Sequence, residues 1–99
     1  MKIRRLVKMT FQPERVRDFL EIFDETKRDI RRFPGNTGLQ LLRATAEPNI
    51  LFTLSDWESE AALENYRASE LFLKTWRATK ALFSEKAAAW SVMVYDEVA

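Results

Sequence analysis

LQLLRATAEPNILFTLSDW, residues 39–57, is the stretch that decides the fold. Leu39, Leu41 and Leu42 mark one strand and Ile50 to Trp57 another. Glu47-Pro48-Asn49 between them makes a connection so short that an antiparallel hairpin is its simplest reading. Upstream, Ile3, Val7, Met9 and Phe11 alternate with Arg4, Leu6, Lys8 and Thr10, which is the two-residue period of a strand. Arg5 is the one charged residue on the apolar side of that alternation. Gln12-Pro13-Glu14 then opens a helix, with Pro13 in the first turn where its missing N–H costs nothing. Val16, Phe19, Leu20, Phe23, Ile30 and Phe33 follow as an apolar stripe, and Pro34-Gly35 stops it. Downstream of the hairpin, Asp56 and Ser59 are capping types ahead of a helical stretch through Leu63, Tyr66 and Arg67. Ser69 can cap a second stretch carrying Phe72, Trp76, Thr79 and Phe83, so residues 59–83 are one bent helix or two. Trp90 to Val98 alternates again, with Trp90, Val92, Val94 and Val98 on one face and Met93 and Tyr95 on the other. The order β-α-β-β-α-β is the ferredoxin-like α+β arrangement: a four-stranded antiparallel sheet with its helices on one face.

Ninety-nine residues, 46% of them hydrophobic and 31% charged, compose a single globular domain over 1–99. With no cysteine there is no disulfide, thiolate nucleophile or Cys-ligated zinc. With no histidine, the usual general base, the Ser-His-Asp triad and the commonest transition-metal ligand are also missing. Only two glycines and no GxGxxG exclude a dinucleotide-binding loop. Chemistry must therefore come from carboxylates, Arg, Lys, Tyr, Trp or a borrowed cofactor, and no metal is expected. The net charge of +1 argues against a dedicated nucleic-acid binder, although residues 1–33 carry ten bases against six acids. Asp24, Glu25 and Asp29 interleave with those bases at helical spacing, the pattern of a solvated face. No signal segment is visible, and the longest mostly apolar run, Ala87 to Tyr95, is far below the roughly 18 residues of a membrane span. A cytoplasmic protein that does not enter membranes is expected.

Alternation places Leu6, Leu51, one of Leu39, Leu41 and Leu42, Met93 and Tyr95 on the sheet face turned away from the helices, where polar residues would normally lie. A chain this short has a marginal core of its own. The economical cover for a second apolar face is the same face of another copy, so a homodimer with Leu6, Leu51, Met93 and Tyr95 at its interface is expected.

Pro13-Glu14, Phe19 and Phe23, Phe33-Pro34-Gly35, Leu41-Leu42-Arg43, Trp57-Glu58-Ser59, Ala62-Leu63, Tyr66-Arg67 and Ser69-Glu70-Leu71-Phe72 together resemble the antibiotic biosynthesis monooxygenase family across essentially the whole chain. The resemblance implies a dimeric α+β barrel. Activities in such a family include cofactor-independent oxidation of polycyclic phenols and quinols, and haem degradation; some members have no established reaction. The first implies O₂ attack on a small electron-rich aromatic of quinol, phenol or anthrone type, with no cofactor. Its alternative is a non-catalytic ligand-binding or interaction module of the same fold. Trp57, at the family's recurrent Trp position, either seals the strand–helix junction or presents its indole N–H to a bound oxyanion. Tyr66 either packs in the core or offers its hydroxyl to a substrate, and Trp76 either packs beside Phe72 or lines the pocket. In the haem-degrading branch an Asn, a Trp and a ligating His occupy the positions held here by Val7, Tyr66 and Trp76. All three depart, and without histidine the ordinary axial ligand is lost. Pocket candidates are thus Trp57, Tyr66, Trp76 and Val7, with no catalytic group assigned.

Overall fold

The hairpin forms as its sequence indicates: Asn36–Arg43 is β2 and Ile50–Trp57 is β3, paired antiparallel. The computed structural model describes all residues 1–99. β1, Ile3–Thr10, pairs with β3 from Ile3 opposite Trp57 to Thr10 opposite Ile50. β4, Ala88–Val92, lies antiparallel on the other edge of β1, giving the order β2-β3-β1-β4. A 3₁₀ turn, Pro13–Arg15, leads into α1, Val16–Arg31. Gly35, at φ +90°, makes the reversal into β2, a left-handed backbone that glycine adopts without the Cβ penalty.

The segment left open as one helix or two is two, α2 over Glu60–Arg67 and α3 over Glu70–Lys80. Ser59 Oγ caps the first by accepting from the Ala62 N–H at 3.1 Å. Ser69 makes the break: its hydroxyl donates to the Tyr66 carbonyl at 2.6 Å and accepts from the Phe72 N–H at 3.1 Å. One side chain thereby satisfies a carbonyl at the end of α2 and an amide at the start of α3. No helix is long and apolar enough to cross a membrane.

The helices lie over the sheet face bearing Ile3, Met9, Leu51 and Trp57. Two packed clusters anchor that layer. Met9, Phe11, Phe19, Leu51 and Leu82 form the larger, and Ile3, Trp57 and Leu63 the smaller.

Three expectations about the outer face are corrected. Leu51 stands opposite Met9 and is 1% exposed, so it belongs to the core under the helices and not to an outer interface. The period of two ties it to Trp57, whose burial at the helix junction fixes the inward side. The last strand is shorter than the alternation of Trp90 to Val98 suggests and ends at Val92, whose partner is Arg4. Met93 and Tyr95 therefore follow the strand and are exposed. Its sidedness is also reversed. Trp90 lies opposite Leu6, so Trp90 and Val92 sit on the face turned away from the helices. When both faces of a strand are apolar, alternation shows which residues share a face but not which face is inside.

Candidate functional site

Between the two packed clusters the helices and sheet do not close, leaving a cavity of about 490 Å³. Its floor is the middle of β1 and β3, where Arg5 pairs with Ser55 and Val7 with Thr53. Phe19 and Phe23 of α1, Tyr66 of α2, and Phe72 and Trp76 of α3 supply its walls, and Ala87 and Ala89 border it beside β4. The walls are held by ring contacts: Tyr66 to Phe72 at 5.2 Å, Phe72 stacked on Trp76 at 5.9 Å, and Trp76 edge-on to Phe83 at 5.6 Å. Offset and edge-to-face aromatic contacts at these separations fix ring orientation as well as contributing area.

Of the four pocket candidates, Val7, Tyr66 and Trp76 converge on this cavity, whereas Trp57 does not line it. Trp57 is fully buried behind it. Its indole N–H is used inside the protein, donating to Ser55 Oγ at 2.9 Å, and its ring stacks on Tyr66 at 4.8 Å. Trp57 thus orients two groups that do face the cavity. Phe33 adds an edge-on contact to Tyr66 at 5.4 Å, so the phenol ring is clamped on two sides.

Tyr66 makes no hydrogen bond through its hydroxyl to any other group of the chain. Burial pushes its pKa up to about 12, because the phenolate would lose water without gaining a partner. At neutral pH it is a proton donor held ready for an acceptor that the protein itself does not supply.

Arg5 is the residue that sequence reading passed over. Its guanidinium donates to Ser91 Oγ at 3.0 Å and lines the cavity floor. Desolvation lowers its pKa, the nearby Arg67 lowers it further, and Glu64 opposes both. Arg67 itself bridges Glu64 at 3.1 Å on the exposed side of α2. The signal was present in the sequence, since Arg5 interrupts the apolar alternation of the first strand. No Asp or Glu lines the cavity, so its polar equipment is two guanidiniums, the Tyr66 phenol and hydroxyls such as those of Ser55 and Thr53. Nowhere in the chain do three acidic side chains gather closely enough to hold a metal ion. Leu6, Leu51, Met93 and Tyr95 all lie outside the cavity lining.

The same architecture recurs among solved structures. A conserved protein of Methanosarcina mazei Go1 superposes with a TM-score of 0.89 at 18% identity, over 93% of this chain and 91% of that one. Rv0793 from Mycobacterium tuberculosis gives a TM-score of 0.89 at 16% identity with both chains fully covered. SnoaB of Streptomyces nogalater, a cofactor-independent oxygenase, gives 0.86 at 20% identity over 98% of this chain and 96% of its own. At such identities these likenesses speak for the fold alone. No curated protein matches the sequence closely enough to count as a relative. The sequence model of one family, however, matches residues 2–78, spanning β1 through most of α3 and therefore nearly every wall of the cavity. On that match the chain belongs to the antibiotic biosynthesis monooxygenase family.

Proposed function

We propose that the chain is a monooxygenase that uses O₂, without a cofactor, to oxidise a small electron-rich aromatic of quinol, phenol or anthrone type, and that it works as a homodimer. The observation that carries this reading is the cavity: apolar, walled by Tyr66, Phe72 and Trp76, and large enough for a molecule of two or three fused rings, with cations and hydroxyls but no carboxylate in its lining.

Such a substrate supplies its own electrons once it loses a proton. For an anthrone, the enolate passes an electron to O₂, the resulting pair joins at the ring carbon, and loss of water from the peroxide leaves a carbonyl. One oxygen atom ends in the product and the other in water together with both hydrogens of the original CH₂. The chain has no lining group fit to be a strong base, so ionisation is promoted by field. Hydroxyl donors and positive charge in the lining favour the anionic form of a bound phenol or enol, and the proton leaves to solvent. Tyr66, held protonated by burial, donates to the developing oxyanion. Ser55, fixed by the Trp57 indole, stands next to Arg5 in the sheet register.

The homodimer reading rests on the outer sheet face, where Leu6 neighbours Leu54 and Trp90 across the strands and Trp90 is half exposed in the single chain.

Oxygen consumption with anthrone and with 1,4-dihydroxynaphthalene tests the reaction. Uptake above the buffer rate, slowed about tenfold or more in Tyr66→Phe, is expected from loss of one oxyanion donor. No uptake above buffer with either compound, and no difference between wild type and Tyr66→Phe, removes the enzymatic claim. The lack of a lining carboxylate supports one second reading, a module that binds such aromatics without turnover. Its mark is a ligand that raises the melting temperature by mass action and is recovered unchanged.

A further inference from the structure

Arg5 is the only charged residue on the inward side of β1, and the chain offsets the cost of its placement only in part, through the Ser91 hydroxyl and a carboxylate, Glu64, that it shares with Arg67. The four ion pairs of the molecule join Arg4 to Asp56, Arg15 to Asp18, Lys27 to Asp24 and Arg67 to Glu64; none includes Arg5. Its one side-chain hydrogen bond goes to a neutral hydroxyl, Ser91 Oγ. The nearest acid that acts on it, Glu64, is already engaged by Arg67. Taking Arg67 and Glu64 as a neutral pair, the cavity lining holds one uncompensated positive charge and two guanidinium forks. A half-buried cation beside a like charge is destabilising until a counter-ion arrives. The rest of the lining dictates what that ion is attached to, since Phe72, Trp76, Phe19 and Val7 accept a flat apolar body and little else.

We infer that the cavity selects an aromatic substrate bearing an ionised carboxylate, held between Arg5 and Arg67 with its ring against Phe72 and Trp76. This rests on the reading of the cavity as the substrate site and adds a charge requirement to it. A carboxylate fits better than the phenolate that forms during reaction, because its two oxygens can meet two forks, whereas a phenolate offers one. A monoanion fits better than a phosphate dianion, because only one positive charge lacks a partner.

Binding of 2-naphthoate and 2-naphthamide, measured by titration calorimetry at neutral pH, tests the charge requirement without turnover. The two share shape and differ by one negative charge. At about 20 mM salt the acid is expected to bind about tenfold more tightly than the amide, and Arg5→Gln to bring the two affinities within about twofold of each other. Arg67→Gln is expected to narrow the ratio to about threefold. Should Arg5→Gln not fold, the wild-type ratio between about 20 mM and about 500 mM salt decides: a ratio that shrinks with salt supports the assignment, and a constant one overturns it. Equal affinities in wild type, no saturable binding of the acid, or a ratio untouched by Arg5→Gln also overturn it. Oxygen uptake with 1,4-dihydroxy-2-naphthoate and 1,4-dihydroxynaphthalene separates this inference from the proposed reaction. If neither is oxidised while the naphthoate preference holds, the oxygenase reading fails and the charge requirement stands. If both are oxidised with equal kcat/KM and the two naphthalenes bind equally, the charge requirement fails and the oxygenase reading stands.

Discussion

The two faces of the sheet invert the usual arrangement. On the face beneath the helices, the central positions are Arg5, Thr53 and Ser55, all polar, with Val7 between them. On the face away from the helices, the corresponding positions are Leu6, Phe52 and Leu54, with Trp90 alongside and Lys8 the one charged residue among them. An antiparallel sheet with one packed and one solvated side shows the opposite distribution. Inward polarity survives here because the middle of the inner face is not packed: it floors a cavity, and the packing is done at the two ends by Met9 with Leu51 and by Ile3 with Trp57. A second copy on that face, as in the proposed homodimer, would take its apolar residues out of water. On the proposed reading, one face is polar to meet a ligand and the other apolar to meet a second copy.

The contrast is broken most severely at the anchors of the inner face. Trp57→Ala removes a fully buried indole, its stack on Tyr66 and its hydrogen bond to Ser55. A loss of about 4 kcal/mol is expected in urea denaturation, a large share of the stability of so small a domain. A loss below about 1 kcal/mol would mean that Trp57 is not the anchor its burial indicates. The outer face is tested by Leu54→Lys, which sets a charge beside Leu6 at the centre of the sheet. Dimer dissociation is expected to become easier by about 3 kcal/mol, or roughly a hundredfold in Kd by sedimentation. Unchanged sedimentation of the variant would show that this face is not the interface.

Sequence reading reached the inner face and missed the outer one for a definable reason. Strand and helix order follow from periodicity, and the capping roles of Ser59 and Ser69 from residue type, because both depend on neighbours in the chain. Which side of a strand is inside depends on what packs there. For Leu51 and for Trp90 both sides were apolar, so hydrophobicity carried no information and only the register with β1 decides. The cavity was legible through Tyr66, Trp76 and Val7, yet Trp57 proved to stand behind it, because the destination of an indole N–H two residues away, at Ser55, depends on the rotamer of each side chain. Arg5 was visible as an exception, but an exception becomes a site only when Arg67, far along the chain, is brought beside it.

A smaller effect tests the surroundings of the Tyr66 hydroxyl on the inner side. The Tyr66 phenol titrates near pH 12 in the folded chain against about 10 in an unfolded one. Below pH 10 the hydroxyl is protonated in both states and contributes nothing to pH dependence. Between about pH 10 and 12 the unfolded state gives up this proton first, so stability falls across that window by about 2 kcal/mol. Chemical denaturation repeated along that range, with Tyr66→Phe as the reference, isolates the contribution: the variant is expected to lack it while matching wild type at pH 7 to 9. Parallel curves for the two proteins would place the hydroxyl in water.

The smallest change bears on the same contrast most directly. Thr53 sits on the inner face between Val7 and Leu41 and lines the cavity, and its hydroxyl makes no hydrogen bond within the chain. If inward polarity served folding, Thr53→Val would be costly, as removal of a satisfied buried hydroxyl generally is. If it serves a ligand, the substitution deletes a polar group that the fold leaves unused and adds a β-branched methyl suited to a strand. Stability is therefore expected to rise by about 0.5 kcal/mol in denaturant titration, while affinity for a hydroxylated naphthalene falls a few-fold relative to naphthalene itself. A destabilised variant with unaltered ligand preference would mean that the inner face is polar for structural reasons. Opposite signs for stability and for hydroxyl recognition are the result that a ligand-facing surface requires, since the group removed has its partner only when the cavity is filled.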